Sequence, residues 1–346
     1  MVRFETVSTL VLSSISRSSV ATGQLRLAEA QREANTGRHH DVGLALGSRI
    51  GTDIRLRLQL SELTQSAELS EQAGIRASVT QTTLESISKL ASSFLSTLSA
   101  ARGAEAGQRI ATDAARASMA SLGDLVNVAF DGQYLFGGLN SAIPPLRALD
   151  AGPQASVDAA FLAEFGFSQS DAGTSGISGA AMTAFLDGGF SSIFAPAGWT
   201  ANWSNSSAAN LRHRLDSGAP EDASSNANAA FVPKLAQAFS AMMSLGQDEL
   251  SGDAFTAAAD KAMRLVSEAL LDVGSEQSRI GIAEQRISAF SEAAEKRMMS
   301  VTEAIRALES VDPYEAATRV NTLMTQLEAS YAITGRISRL SLLSYI

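Results

Sequence analysis

The chain has 346 residues, 45% of them apolar but only 6% aromatic, with a formal net charge of −9 and no cysteine. That apolar fraction excludes global disorder, and the missing cysteine removes thiol catalysis, disulfides and cysteine-based metal sites. The acidic balance argues against non-specific binding to nucleic acid or to an anionic membrane.

Residues 2–35 read as a helix. Phe4, Val7, Val11 and Ile15 recur at three- and four-residue spacing, and Leu25 resumes the face after a polar gap at Ser18, Ser19 and Thr22. No run of about 7–15 apolar residues follows Met1, so no cleaved general secretory signal is expected. Gly37 suits the position after the helix, and residues 36–48 read as a Gly-punctuated connection. Ser48 then caps a long helix reaching about Ala101, with Leu56, Leu60, Leu63 and Ala67 on its face, followed by Ser70, Gly74, Ala77, Leu84, Ile87, Ala91, Phe94 and Leu98. The small residues midway imply a close neighbour. A shorter helix is expected over Glu105–Ala129, with Ile110, Ala114, Ala117, Leu122, Leu125 and Val126 inward. Asp131-Gly132 is a turn dipeptide, and Gln133–Phe136 reads as a strand closed by Gly137-Gly138.

Residues 139–250 differ in kind. They hold six of the seven prolines and both tryptophans, and Phe161, Phe165, Phe167, Phe185, Phe190, Phe194, Trp199 and Trp203 are enough for a small separate core. The segment reads as an inserted domain with short strands in part of it, and Phe231–Leu245 as a helix leading out. Ser251–Ser310 carries an uninterrupted seven-residue apolar series, Ala259, Val266, Val273, Ile280, Ile287, Ala294, Val301 and Leu308. Such a repeat marks a helix packed lengthwise against others. The facing positions Gln277, Glu284 and Ser291 are polar, which favours a mixed seam in a larger bundle over a pure two-stranded coiled coil. Asp312-Pro313 with Glu315 is an N-cap, first-turn proline and capping-box pattern. It starts a last helix bearing Val320, Leu323, Met324, Leu327, Tyr331, Ile333, Ile337, Leu340 and Leu343.

The expected fold is therefore mainly α: a long antiparallel helical rod built from both chain ends, with a small β-containing inserted domain. Its parts are residues 1–36 (terminal helix), 37–138 (first half of the rod), 139–250 (insert), 251–311 (second half of the rod) and 312–346 (terminal helix).

Three stretches carry a family resemblance. They are Thr36-Gly-Arg-His-His-Asp-Val-Gly-Leu-Ala-Leu-Gly47, Ala129-Phe-Asp-Gly-Gln-Tyr-Leu-Phe-Gly-Gly138, and the C-terminal run from Leu327-Glu-Ala-Ser-Tyr331 to Leu342-Leu-Ser-Tyr-Ile346. In this order and spacing they resemble the flagellin superfamily, and within it the hook-associated protein 3 branch of hook–filament junction proteins, alphaproteobacterial type. Asp131-Gly132 stands where the family has Asn-Gly, a change that leaves the turn chemistry intact. The resemblance covers residues 1–138 and 250–346 and leaves the insert as the variable outer domain. It implies D0-like terminal helices, a D1-like rod and a D2-like insert. It further implies a structural subunit without cofactors, exported unfolded by the flagellar type III apparatus, whose terminal helices order on assembly. The implied partners are hook-associated protein 1, flagellin, a flagellar export chaperone and further copies in a ring, with no nucleic acid and no membrane. A flagellin that polymerises into the filament is the alternative within the superfamily, and a helical signalling rod the alternative outside it.

No constellation in the sequence points to an enzyme. His39-His40-Asp41 suggests a metal site only weakly, because adjacent side chains rarely converge on one ion. The Gly pairs lack the Gly-Lys-Ser/Thr context of a phosphate cradle. Tyr134, Leu135 and Phe136 read as core. The candidate functional residues are the large apolar ones near the two ends, Phe4, Val7, Val11, Ile15, Leu327, Tyr331, Ile333, Ile337, Leu340 and Leu343. From the residues alone an intramolecular pair and a subunit interface stand level, and the resemblance implies the subunit interface.

Overall fold

A computed structural model of the chain describes residues 9–102, 106–213, 220–245 and 250–343, without the side chains of residues 9, 10, 12, 13 and 337–343. The fold is mainly α, with long helices toward both termini and one small antiparallel sheet between them. The helices are α1 (Thr9–Thr36), α2 (Val42–Leu46), α3 (Ile50–Ala101), α4 (Gly107–Val126), α5 (Pro153–Phe165), α6 (Gly179–Asp187), α7 (Gly189–Phe194), α8 (Pro196–Asn202), α9 (Phe231–Met243), α10 (Gly252–Glu309) and α11 (Pro313–Leu343). The strands are β1 (Ala129–Phe130) and β2 (Gln133–Tyr134). Two compact units result: Met1–Gln65 with Ala294–Ile346, and Ser66–Ala293. Both α3 and α10 contribute to each.

In the second unit α3 and α10 run antiparallel. Arg102 pairs with Asp260 at 3.0 Å, Gln81 Nε2 donates to the Gln277 carbonyl at 3.3 Å, and a Cβ on Gly74 would lie 3.5 Å from Ile287 Cγ2. The seven-residue series of α10 is the buried seam, with Ala259, Val266, Val273 and Ile280 fully enclosed. On α3, Ala77, Leu84, Ile87, Ala91, Phe94 and Leu98 are buried opposite it.

Helix α4 packs against α9, where Thr112 Oγ1 donates to the Met242 carbonyl at 3.2 Å. Of its expected inward face, Leu122 and Val126 are buried and Ala114 and Leu125 half-buried against the core, while Ile110 and Ala117 depart from it. Ala111, Ala115, Met119, Leu122 and Val126 are buried, while Ile110 is 46% exposed and Ala117 is exposed. Where the expected face opens on Ile110, the buried one opens on Ala111, about 100° around the helix and small enough to let α9 approach.

The hairpin is a two-residue turn, Asp131 at φ 50° and Gly132 at φ 71°, as a type I′ connection requires. It pairs Ala129 with Tyr134 and Phe130 with Gln133, so β2 ends two residues before the expected strand. Leu135 and Phe136 turn into the core as expected. Arg76 is buried beneath the hairpin and donates to the Tyr134 carbonyl at 3.0 Å; burial lowers its pKa.

Within 139–250 helix predominates, and the β structure expected there takes the form of isolated bridges, Leu146 with Ser204 and His213 with Glu221. Phe161, Phe165, Phe185, Phe190, Phe194, Trp203 and Trp199 form an unbroken chain of ring contacts. That chain is not a separate core. It continues into the apolar cluster of α3, α4, α9 and α10, which accounts for a single unit over Ser66–Ala293.

Candidate assembly surface

In the first unit two turns meet at a pair of buried carboxylates held by half-exposed arginines. Helix α1 ends as expected at Gly37, φ 69°, whose N–H returns to the Glu33 carbonyl at 2.8 Å. The chain then bridges to the break between α10 and α11. His39 N–H donates to the Glu309 carbonyl and Val311 N–H to the Gly37 carbonyl, each at 3.0 Å. The Glu309 carboxylate is fully buried and accepts from both Arg38 and Arg57. Arg57 also pairs with buried Asp53 at 2.9 Å. Both guanidinium groups are half-exposed, but the enclosed Glu309 carboxylate depends on them for its charge, and so ties the two turns together.

This explains the residue types of the Thr36–Gly47 stretch. Thr36 Oγ1 donates to the Arg32 carbonyl at 2.8 Å, and the His40 N–H donates to Glu33 Oε1 at 2.9 Å. Asp41 accepts from Leu44 N at 2.9 Å and caps α2, a helix that the reading of 36–48 as a plain connection missed. A 3-10 turn at Gly47–Arg49 then takes the place expected for a Ser48 cap. Among the described residues no three His, Cys, Asp or Glu side chains are grouped to hold a metal ion.

From these turns, α1 and α11 run together antiparallel: Glu33 pairs with Arg319 at 3.0 Å, Gln24 Nε2 donates to Tyr331 Oη at 2.6 Å, and Gly23 faces Leu327. Asp312 caps α11, accepting from Tyr314 N at 2.8 Å, and Pro313 opens it as expected. Glu315 does not reach back to complete a capping box; its carboxylate pairs with Arg319 at 2.7 Å, one turn ahead. Among the described side chains, the covered residues of α1 are Ser16, Val20, Gly23, Leu27 and Ala30, with Glu33 beyond them, and those of α11 are Ala316, Val320, Leu323, Leu327, Ser330 and Thr334. Alternating steps of four and three make this a coiled-coil seam, though a thin one, since half its positions are Gly, Ala, Ser or Thr.

The expected apolar stripe of α1 lies elsewhere. Val11 is 48% exposed, Ile15 59% and Leu25 67%. At 100° per residue these sit on the side of α1 turned roughly 140° from the seam. Thus α1 carries two stripes. A helix reading that followed large residues found the outer one and passed over the small-residue seam. On α11, Leu327 is in the seam, while Tyr331 and Ile333 are 48% and 56% exposed. Phe4 and Val7, and the side chains of Ile337, Leu340 and Leu343, lie outside the described residues.

The two units differ sharply in how much apolar surface they cover. Among the described residues of the first, eleven large apolar side chains are exposed (Val11, Ile15, Leu25, Leu44, Ile54, Leu58, Met299, Tyr314, Met324, Tyr331 and Ile333), and only four larger than Ala are buried (Leu46, Val301, Ile305 and Val311). In the second the balance is eight exposed to 34 buried. An open groove of about 360 Å³ also runs along the α1–α11 pair between Ile15, Thr22 and Leu327. No helix among the described residues is long and apolar enough to cross a membrane.

Comparison with known families gives two matches. Residues 7–141 match the bacterial flagellin N-terminal helical region, and residues 263–346 match the bacterial flagellin C-terminal helical region. No curated protein matches the chain.

Proposed function

The chain belongs to the flagellin superfamily, and from that premise we propose that it is the adaptor joining hook to filament in the bacterial flagellum. Membership itself makes it a self-associating structural subunit of the flagellum, outside the cell, in a family that is structural and not enzymatic. The observation that carries the self-association is the first unit's surplus of exposed over buried large apolar side chains. Large apolar side chains left uncovered in such excess are ordinarily covered by a partner.

The outer stripe of α1, with Tyr331 and Ile333 of α11, supplies that interface. Further copies in a ring cover it, with hook-associated protein 1 on one side and flagellin on the other. Before export as an unfolded chain by the flagellar type III apparatus, a dedicated chaperone covers the same apolar residues. The junction reading, as against a filament flagellin, rests on the Thr36–Gly47 stretch and on the Leu342-Leu-Ser-Tyr-Ile346 ending.

The test is polymerisation of the purified protein, alone and with hook or filament seeds, scored by electron microscopy. An adaptor grows no filaments alone, yet its terminal helices gain protease protection on seeds. Long tubes from the protein alone would make it a filament flagellin.

A further inference from the structure

Arg76 is a buried cation that no carboxylate among the described residues answers. It lies on α3 beneath the hairpin and is 7% exposed. Its Nη2 donates to the Tyr134 carbonyl at 3.0 Å and its Nη1 to Gln133 Oε1 at 3.4 Å, both neutral acceptors, and its Nε–H is enclosed without a partner. Arginines of α10 in the same unit are provided for: Arg279 has Glu276 at 2.7 Å and Asp222 at 3.2 Å, and Arg286 has Glu221 at 3.1 Å. A guanidinium keeps its proton at any pH a protein meets, so Arg76 stays charged. His213 registers that charge. Its imidazole is half-buried, and burial first and Arg76 second hold it below its ordinary value of 6.5.

We propose that Arg76 holds a small inorganic anion of the chloride class at its enclosed Nε–H, under the hairpin and within the electrostatic reach of His213. The inference concerns the second unit alone and stands apart from the subunit reading. A buried charge is ordinarily paired and a buried N–H ordinarily bonded, and one anion at this place does both. The donor set selects the kind of anion. A carboxylate or phosphate is gripped by two parallel N–H bonds. Here the hairpin already engages Nη1 and Nη2, and a single-atom ion needs no such pair. The ion also offsets the repulsion between Arg76 and His213, so the imidazole takes up its proton more readily when the ion is bound. By linkage, the ion binds more tightly once His213 is protonated. The other charged groups around His213 give no such relief. Glu221, which exchanges backbone hydrogen bonds with His213 at 2.9 and 2.8 Å, is taken by Arg286, and Asp222 by Arg279. The neighbouring Arg212 has the wrong sign.

The experiment follows the His213 imidazole by NMR in histidine-labelled protein, its signal assigned by its loss in His213→Asn. Chloride replaces gluconate, an anion too bulky to enter under the hairpin, at a constant ionic strength of about 0.15 M. In the natural chain the His213 titration midpoint should rise by at least about 0.5 unit and saturate with chloride. In Arg76→Gln, verified as folded by circular dichroism, the midpoint should already lie above the natural one in gluconate, and chloride should not move it. A natural midpoint indifferent to chloride overturns the proposal, and so does an equal rise in the folded variant. A second measurement needs no variant: crystals of the natural protein grown with bromide in place of chloride should show an anomalous peak within hydrogen-bond reach of Arg76 Nε. Water, or a carboxylate of the chain itself, at that position overturns the proposal. A bromide peak without the solution effect on His213 would be an adventitious ion only, and overturns it as well.

Discussion

Glu309 shows how much a single side chain can fix. It sits on the last turn of α10, has no exposure to water, and is the one carboxylate that both Arg38 and Arg57 address. Glu309→Gln keeps its shape and removes its charge, and a hydrogen bond to a charged group is worth about 1.5–3 kcal/mol. The His39 and Val311 amides, which bond across the same two turns, should then exchange with solvent about 30-fold faster, as about 2 kcal/mol implies. Unchanged exchange at both would mean that the backbone bridges hold without the carboxylate. In the second unit, burial first and the Arg76 guanidinium second push His213 below its ordinary value of 6.5. The unfolded chain then takes up this proton more readily than the folded one, so stability rises with pH through this window. The contribution is complete above about pH 6.5 and is lost as pH falls from there toward the depressed folded value. Urea unfolding at pH 7.5 and pH 5.5 should show the loss, and His213→Asn should flatten it; an unaltered slope in that variant would place the titration elsewhere.

At the scale of elements, α1 and α10 were legible to different degrees for one physical reason. The seam of α10 is written in Val and Ile, and the series from Ala259 to Val301 is buried throughout. The seam of α1 is written in Ser16, Val20, Gly23, Leu27 and Ala30, where small side chains permit close approach and leave no hydrophobic period to follow. The break at Ser310–Asp312 was legible because capping chemistry is local, whereas α2 was not, since five residues make little more than one turn and depend on Asp41 and Leu46. Inside 139–250 the aromatic residues announced their clustering but not their continuity with α9 and α10, which is a property of tertiary contact. Gly23 tests the α1 seam. A Cβ there would lie 3.2 Å from Leu327 Cδ1, the far end of a flexible side chain, while Ala in place of Gly favours a helix by about 0.8–1 kcal/mol. Gly23→Ala should slow amide exchange along α1, and Gly23→Leu should speed it by forcing α1 from α11. Faster exchange in both variants would show that the seam tolerates no side chain at all.

At the scale of the whole molecule, assembly should depend on side chains that the isolated subunit does not use. Ile15 and Ile333 are each more than half exposed, and burying the remainder of such a side chain is worth about 1 kcal/mol. The double variant Ile15→Ser with Ile333→Ser should raise the threshold for association on seeds at least about tenfold, with the far-ultraviolet spectrum of the subunit unchanged. A spectrum that loses helix content would instead assign these residues to the α1–α11 pair itself.

The paired indoles of the insert have an optical consequence. Trp199 and Trp203, the chain's two tryptophans, stack at 5.6 Å with their planes 12° apart, and both lie in Ser66–Ala293. Tyr314 and Tyr331 lie in the other unit and are substantially exposed. Tryptophan emission is therefore a clock for the second unit alone, and tyrosine absorbance weights the first. Followed together during denaturation or polymerisation, the two colours separate the events of one unit from those of the other without any label.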